Sequence, residues 1–151
     1  RILDEIESLR SSQSLVYSAG PIDEKKSISD WIGIIIDPPN SPYEGGMFKI
    51  KIVIPEKYPY IPPICSFITK VYHPNVNPNS GKMCLDIIND GSTTWNPSYQ
   101  IEDVLEAIEA LLFEPYFPSP LNDEARDLFN ESPSKFNEKA RNWTELYAKN
   151  E

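Results

Sequence analysis

From Met47 to Pro55 the chain alternates. Phe48, Ile50, Ile52 and Ile54 fall on one side, and Lys49, Lys51 and Val53 fall on the other. A period of two predicts a half-buried β-strand. The β-branched run Asp30–Asp37, closed by Pro38–Pro39, predicts a second strand, and Ile64–Ile68 a short third one. Short turn-rich connectors between these runs favour an antiparallel meander. A different period governs the two ends of the chain. Ile2, Ile6 and Leu9 repeat at helical spacing over residues 1–10, with Asp4, Glu5 and Glu7 mostly off that face. Gly20–Pro21 then reads as a break. Ile101, Val104, Leu105, Ile108, Leu111 and Leu112 form one apolar stripe over 101–113, with Glu102, Asp103, Glu106 and Glu109 at the other positions. Asn122 is suited to cap a helix through Asn130. Ser132–Pro133 stops it and starts a last helix carrying Phe136, Ala140, Trp143 and Tyr147. Strands grouped together, followed by grouped helices, predict one α+β domain over 1–151.

Composition narrows the functions open to such a domain. The net charge is −9 and the longest cationic cluster is the pair Lys25–Lys26, so neither a nucleic acid nor an anionic membrane is an expected partner. Basic protein surfaces are the expected partners of the charge, and solubility explains it as well. No apolar run reaches the roughly 20 residues that span a bilayer. Two cysteines and one histidine are too few for a four-ligand zinc site of these residues alone, so no metal and no resident cofactor are expected. Sparse cysteine suits a reducing compartment, cytoplasm or nucleus. Fifteen prolines in 151 residues, against an average near 5%, predict stiff and shaped loops. The spacing Pro59-x-x-Pro62 matches a proline-motif ligand, but its place between two strands favours a stiff connector.

Chemistry concentrates in the segment 72–86, Tyr-His-Pro-Asn-Val-Asn-Pro-Asn-Ser-Gly-Lys-Met-Cys-Leu-Asp, which has neither period. It holds the only histidine, His73, and one of the two cysteines, Cys84. Cys84 stands in a polar, glycine-containing context that predicts an accessible thiol, with Lys82 near enough in sequence to favour a thiolate. Cys65 lies in an apolar strand, where cysteine packs as a small hydrophobe. Three readings of His73 and Cys84 stand side by side. They could be a base and nucleophile of a thiol hydrolase, although a proline directly after the histidine is unusual for a mobile base. They could be loop-stabilising and space-filling groups. Or Cys84 could accept an acyl group from a partner and pass it on, which needs an exposed thiol and an amide donor to the oxyanion, with Asn75 in place for it.

The order of several motifs resembles the ubiquitin-conjugating enzymes. Tyr-His-Pro-Asn (72–75) is followed nine residues after Asn75 by the cysteine of Met-Cys-Leu-Asp (83–86). Upstream stand Pro-Tyr-Glu-Gly-Gly (42–46) and Tyr-Pro-Tyr-Ile-Pro-Pro (58–63), and downstream Trp-Asn-Pro-Ser (95–98) and Ser-Pro-Leu-Asn (119–122). The resemblance covers residues 1–149. It implies an N-terminal helix, a four-stranded antiparallel meander, a long irregular active-site loop and three C-terminal helices. It also implies that Cys84 takes ubiquitin as a thioester from an activating enzyme, which consumes the ATP. A lysine amine of a protein substrate then attacks, usually with a ubiquitin ligase bound. By the same resemblance Asn75 would stabilise the oxyanion or shape the loop, and Asp86 would orient the incoming lysine. Tyr72 would line the same groove, and His73 and Pro74 would be structural. Ser119 would stand at the gate opposite the cysteine, where its Ser-Pro sequence also offers a phosphorylation site. Tyr60, Ile61, Pro97 and Ser98 would face the ligase. Ser18, in the first strand, would belong to the opposite sheet face, where ubiquitin binds non-covalently. Another ubiquitin-like modifier, or a non-catalytic module that binds ubiquitin or ligases, fits the same fold; the cysteine within Met-Cys-Leu-Asp argues against the latter.

The sequence departs from many relatives in three places. Asp4, Glu5 and Glu7 make the first helix acidic where relatives are basic. More residues separate Cys84 from Trp95 than usual, an insertion over 89–94 beside the groove. Glu106 replaces an apolar position that packs on thioester-linked ubiquitin, and burying a carboxylate there is unfavourable.

Overall fold

A computed structural model describes residues 1–11, 16–36, 38–88, 94–115 and 120–149. Helix α1 (Ile2–Ser11) leads into strands β1 (Tyr17–Pro21), β2 (Asp30–Ile36), β3 (Met47–Val53) and β4 (Ile64–Phe67). A long irregular segment containing one short 3₁₀ turn, Asp86–Ile88, leads to helices α2 (Ile101–Phe113), α3 (Asp123–Glu131) and α4 (Pro133–Tyr147). The sheet runs β1-β2-β3-β4, every pair antiparallel. This is the α+β architecture that the periodicities predict.

The alternation in β3 becomes the two sides of the sheet. Phe48, Ile50 and Ile52 are fully buried, whereas Lys49 and Lys51 are exposed. Trp31 and Ile35 of β2 and Cys65 and Phe67 of β4 join them on the inner side. The apolar stripe of α2 covers this face: Ile101, Val104, Leu105, Ile108, Leu111 and Leu112 are all buried in the same core. Each fully buried Ile or Leu contributes about 1.5–3 kcal/mol of transfer free energy. The stripe and the sheet face therefore fix where α2 lies.

Two expectations need correction here. Gly20 and Pro21 do not break the chain; they complete β1, with Gly20 opposite Ile32 and Pro21 opposite Trp31. Strand β1 is at the sheet edge, so a proline at its end withdraws no amide from a central ladder. Glu5, expected off the packed face of α1, is only 3% exposed. Its carboxylate accepts hydrogen bonds from three directions: Arg1 Nε at 2.8 Å, the Tyr58 hydroxyl at 2.6 Å and the Ile101 backbone N–H at 2.7 Å. These donors offset the desolvation of the charge. The acidic face of α1 is thus Asp4 and Glu7, without Glu5.

Helix ends follow the sequence signals. Asn122 Oδ1 accepts from Ala125 N and caps α3, and Ser132 Oγ accepts from Lys135 N ahead of Pro133 at the start of α4. Gln100 and Asp103 form a reciprocal cap on α2.

Candidate active site

The segment 72–86 is irregular yet pinned throughout. Its far end docks on the edge of β4 through a single bridge, Ser66 with Lys82, and a second bridge joins Val76 to Met83. Phe67 N donates to Gly81 O at 2.8 Å. Gly81 makes this approach possible: its φ is +76°, and a Cβ would lie 1.9 Å from Phe67 O. Asn77 Oδ1 accepts from the N–H groups of Asn79 and Ser80, which shapes the turn leading to Gly81.

The near end is held by His73, which is fully buried. Its Nδ1 accepts from Asn75 N at 2.9 Å, so the proton sits on Nε2 and is donated to Leu111 O, 2.6 Å away in α2. Burial pulls this imidazole down to about 4, against the opposing hydrogen bond to Leu111, so it is neutral at pH 7. Both ring nitrogens are engaged in loop geometry. Pro74 O accepts from Leu121 N and Asn122 N, which ties the loop to the start of α3. Asn75 O accepts from Cys84 N at 3.0 Å. The His-Pro-Asn triplet therefore uses each residue in turn to connect α2, the approach to α3 and the cysteine.

Cys84 opens onto a cleft of about 390 Å³ between the 84–87 segment and the C-terminal half of α2. The thiol residue is only 7% exposed, less than its polar sequence context predicts, because Leu85 and Met83 beside it are core residues. Access to it runs through the cleft. Asp86 is exposed on the cleft rim at the start of the 3₁₀ turn, and Thr94 donates its hydroxyl to Asp86 O. Cys65, by contrast, lies in the core, and burial pushes its thiol up to about 12.

Sequence reasoning missed the opposite wall. Ala107, Ala110, Leu111 and Glu114 line it, followed by Pro115. These positions run i, i+3, i+4, i+7 along α2, a second stripe beside the core stripe, and that spacing was the available signal. Asp86 and Glu114 are the charged groups among the lining residues, and the remainder is largely apolar.

Tyr72 does not line this groove. It is 1% exposed, and its ring packs on Phe136 and Trp143 of α4. Its hydroxyl donates to Glu124 Oε1 at 3.0 Å, and its carbonyl accepts from Tyr43 of the Pro-Tyr-Glu-Gly-Gly motif at 2.6 Å. The aromatic ring points away from Cys84 because the helices offer it a dry partner surface. Ser119 and residues 89–93 of the insertion lie outside the described residues.

A second surface forms where two loops meet. Tyr60 and Ile61 are exposed, as are Pro97 and Ser98. Trp95 Nε1 donates to Pro59 O at 2.8 Å and joins the two loops directly. Ser18 is exposed on β1 opposite Ile34, at a register position shared with Lys49 of β3, away from the core side.

A model of the ubiquitin-conjugating enzyme family matches residues 1–144, with the buried His-Pro-Asn loop and Cys84 inside the matched span. The chain belongs to the ubiquitin-conjugating enzymes. Among solved structures it resembles the ubiquitin-conjugating domain of a Toxoplasma gondii enzyme, with 37% identity, 99% of this chain and 97% of that chain covered, and a TM-score of 0.87. It also resembles a Plasmodium yoelii protein named for the same activity, with 32% identity, 100% and 95% coverage, and a TM-score of 0.90. The four helices and four-stranded sheet are the fold of this family of conjugating enzymes. Family membership implies ubiquitin, an activating enzyme and ligases as partners. None of the described helices is long and apolar enough to cross a membrane.

Proposed function

We propose that this ubiquitin-conjugating enzyme carries ubiquitin as a thioester on Cys84. The observation that supports it most directly is the placement of Cys84, a cysteine outside any disulfide, at the edge of a cleft whose other walls are mostly small or apolar, with Asp86 and Glu114 its charged groups. The Cys84 thiolate attacks the carbonyl of ubiquitin's thioester on the activating enzyme. That enzyme's thiol leaves and takes up a proton. A lysine amine then attacks the Cys84 thioester, the oxyanion collapses, the thiolate departs and the amine loses a proton to solvent.

Asn75, one backbone hydrogen bond from Cys84, is the amide donor to the oxyanion or the holder of the loop around it. Asp86 orients the lysine, whose ordinary pKa is about 10.4; the apolar wall lowers that value and the carboxylate raises it, so Asp86 positions rather than deprotonates. The family resemblance would make Ser119 the gate residue. His73 and Pro74 hold the loop, since a neutral imidazole with both nitrogens engaged offers no base. Tyr60, Ile61, Pro97 and Ser98 form the ligase-facing surface, and Ser18 belongs to a second, non-covalent ubiquitin surface. The chain needs no resident cofactor, and ATP is spent by the activating enzyme. The acidic composition and sparse cysteine fit work in the cytoplasm or nucleus.

The test is a charging assay with activating enzyme, ATP and ubiquitin on a non-reducing gel. A band heavier by one ubiquitin, removed by thiol reductant and made reductant-stable by Cys84→Ser, is the expected result. Absence of the band, while a control conjugating enzyme charges normally, overturns the reading for ubiquitin. Repeating the assay with other modifiers then identifies a different cargo.

A further inference from the structure

The buried carboxylate of Glu5 lies beneath the two-loop surface and is not explained by helix formation. It is 3% exposed and meets three segments that are far apart in the chain. Tyr58 OH, at the start of the Tyr60–Ile61 loop, donates to it at 2.6 Å. Ile101 N, the first amide of α2, donates at 2.7 Å, at a helix end where a negative charge is favourable. Arg1 Nε donates at 2.8 Å. Arg1 then reaches past Glu5: its Nη1 donates to Pro97 O at 2.8 Å and its Nη2 to Tyr99 O. Its guanidinium also lies 5.6 Å from the centre of the Tyr58 ring. Burial, and then the bond to Glu5, push the Tyr58 phenol above its ordinary value, so it stays a donor. One ion pair thus spans α1, the loop before β4, the loop after Trp95 and the start of α2.

We infer that Arg1 and Glu5 are positioning residues that hold the Tyr60–Ile61 and Pro97–Ser98 loops in the single surface a ligase binds. The inference rests on the proposed role of that surface. Trp95 Nε1 to Pro59 O is the one direct side-chain bond between the loops among the described residues; Arg1 adds two bonds to the 97–99 loop and reaches the other loop through Glu5 and Tyr58. Backbone carbonyls of an exposed loop would otherwise sample many orientations, and a ligase would have to order them on binding. A clip formed before binding removes that cost. The acidic character of α1 therefore has two separate meanings: Glu5 is internal and organises the surface, while Asp4 and Glu7 face outward.

The test uses Arg1→Gln, which leaves Glu5 its bonds to Tyr58 and Ile101, and Glu5→Gln, which keeps an acceptor and loses the charge. Two readouts are taken: amide hydrogen exchange over residues 98–101 in the free protein, and ligase-stimulated discharge of the charged enzyme across a ligase titration. Arg1→Gln is expected to speed exchange at Ser98 and Tyr99 and raise the KM for ligase about tenfold with kcat retained. Arg1→Lys, with one short donor head in place of the fork, restores only part of it. Glu5→Gln is expected to add faster exchange at Ile101. Unchanged exchange, an unchanged KM, or equal falls in kcat and 1/KM would overturn the inference. If the wild-type protein charges but no ligase titration accelerates its discharge, the ligase-facing surface is itself wrong and the inference falls with it. If the wild type is accelerated and the variants match it, only the clip is wrong.

Discussion

The hydroxyl of Tyr17 donates to Glu106 Oε1 over 3.0 Å, joining β1 to the exposed face of α2. By the family resemblance Glu106 stands where an apolar residue would be expected, and here its carboxylate is held by a phenol across the sheet edge. Packing a protein against it would require removing that carboxylate from water. Glu106→Leu is expected to make ligase-stimulated discharge about threefold faster, or about 0.7 kcal/mol in the barrier. Single-turnover discharge to free lysine, with and without ligase, measures it; equal rates for variant and wild type reject a role for Glu106 in docking the carried ubiquitin.

His73 makes stability depend on pH in a defined window. Its folded value, about 4, lies below the ordinary 6.5 because the ring is buried. The unfolded chain therefore binds a proton that the folded chain refuses between these values. Its contribution is fully present above about pH 6.5 and is lost as pH falls toward 4, amounting to about 3 kcal/mol at most. Urea unfolding at pH 7, 6 and 5 should show falling stability in the wild type. His73→Gln, less stable at pH 7, should lose much less over the same interval, and parallel curves would remove His73 as the cause.

Gly81→Ala tests the docking of the active-site loop on β4. The residue has positive φ, and its new methyl would overlap Phe67 O. A loss of at least about 2 kcal/mol is expected, from strain and the broken Phe67–Gly81 bond together. Chemical denaturation gives the stability. Proteolysis near 77–82 reports whether the loop has lifted, and a variant as stable as wild type contradicts the tight approach of Gly81 to Phe67.

The two thiols should differ sharply in reactivity. With Cys65 pushed up to about 12, its thiolate fraction at pH 8 is on the order of 10⁻⁴. Cys84 opens on a cleft, so iodoacetamide should label it first and stop near one equivalent in the native protein. Mass spectrometry of the peptides decides between them, and labelling of Cys65 at a comparable rate would place it outside the core.

The period-two run of β3, the stripe of α2 and the caps at Asn122 and Ser132 each depend on residues near one another in the chain, so these elements are legible from local spacing alone. The motif order likewise marks the loop around Cys84. Other features required the third dimension. Pro21 could end a strand only because β1 is at an edge, and the edge is a property of the whole sheet. Glu5 reads as a surface acid on a helical wheel. It is buried because Tyr58 and Ile101, separated from it by 53 and 96 positions, bring donors to it. Tyr72 turns toward α4 and away from the cysteine because Phe136 and Trp143 cover it there. Local spacing determines which side of an element is apolar. What meets that side, and which charged group acquires enough partners to stay inside, depends on contacts that close only when the chain has folded.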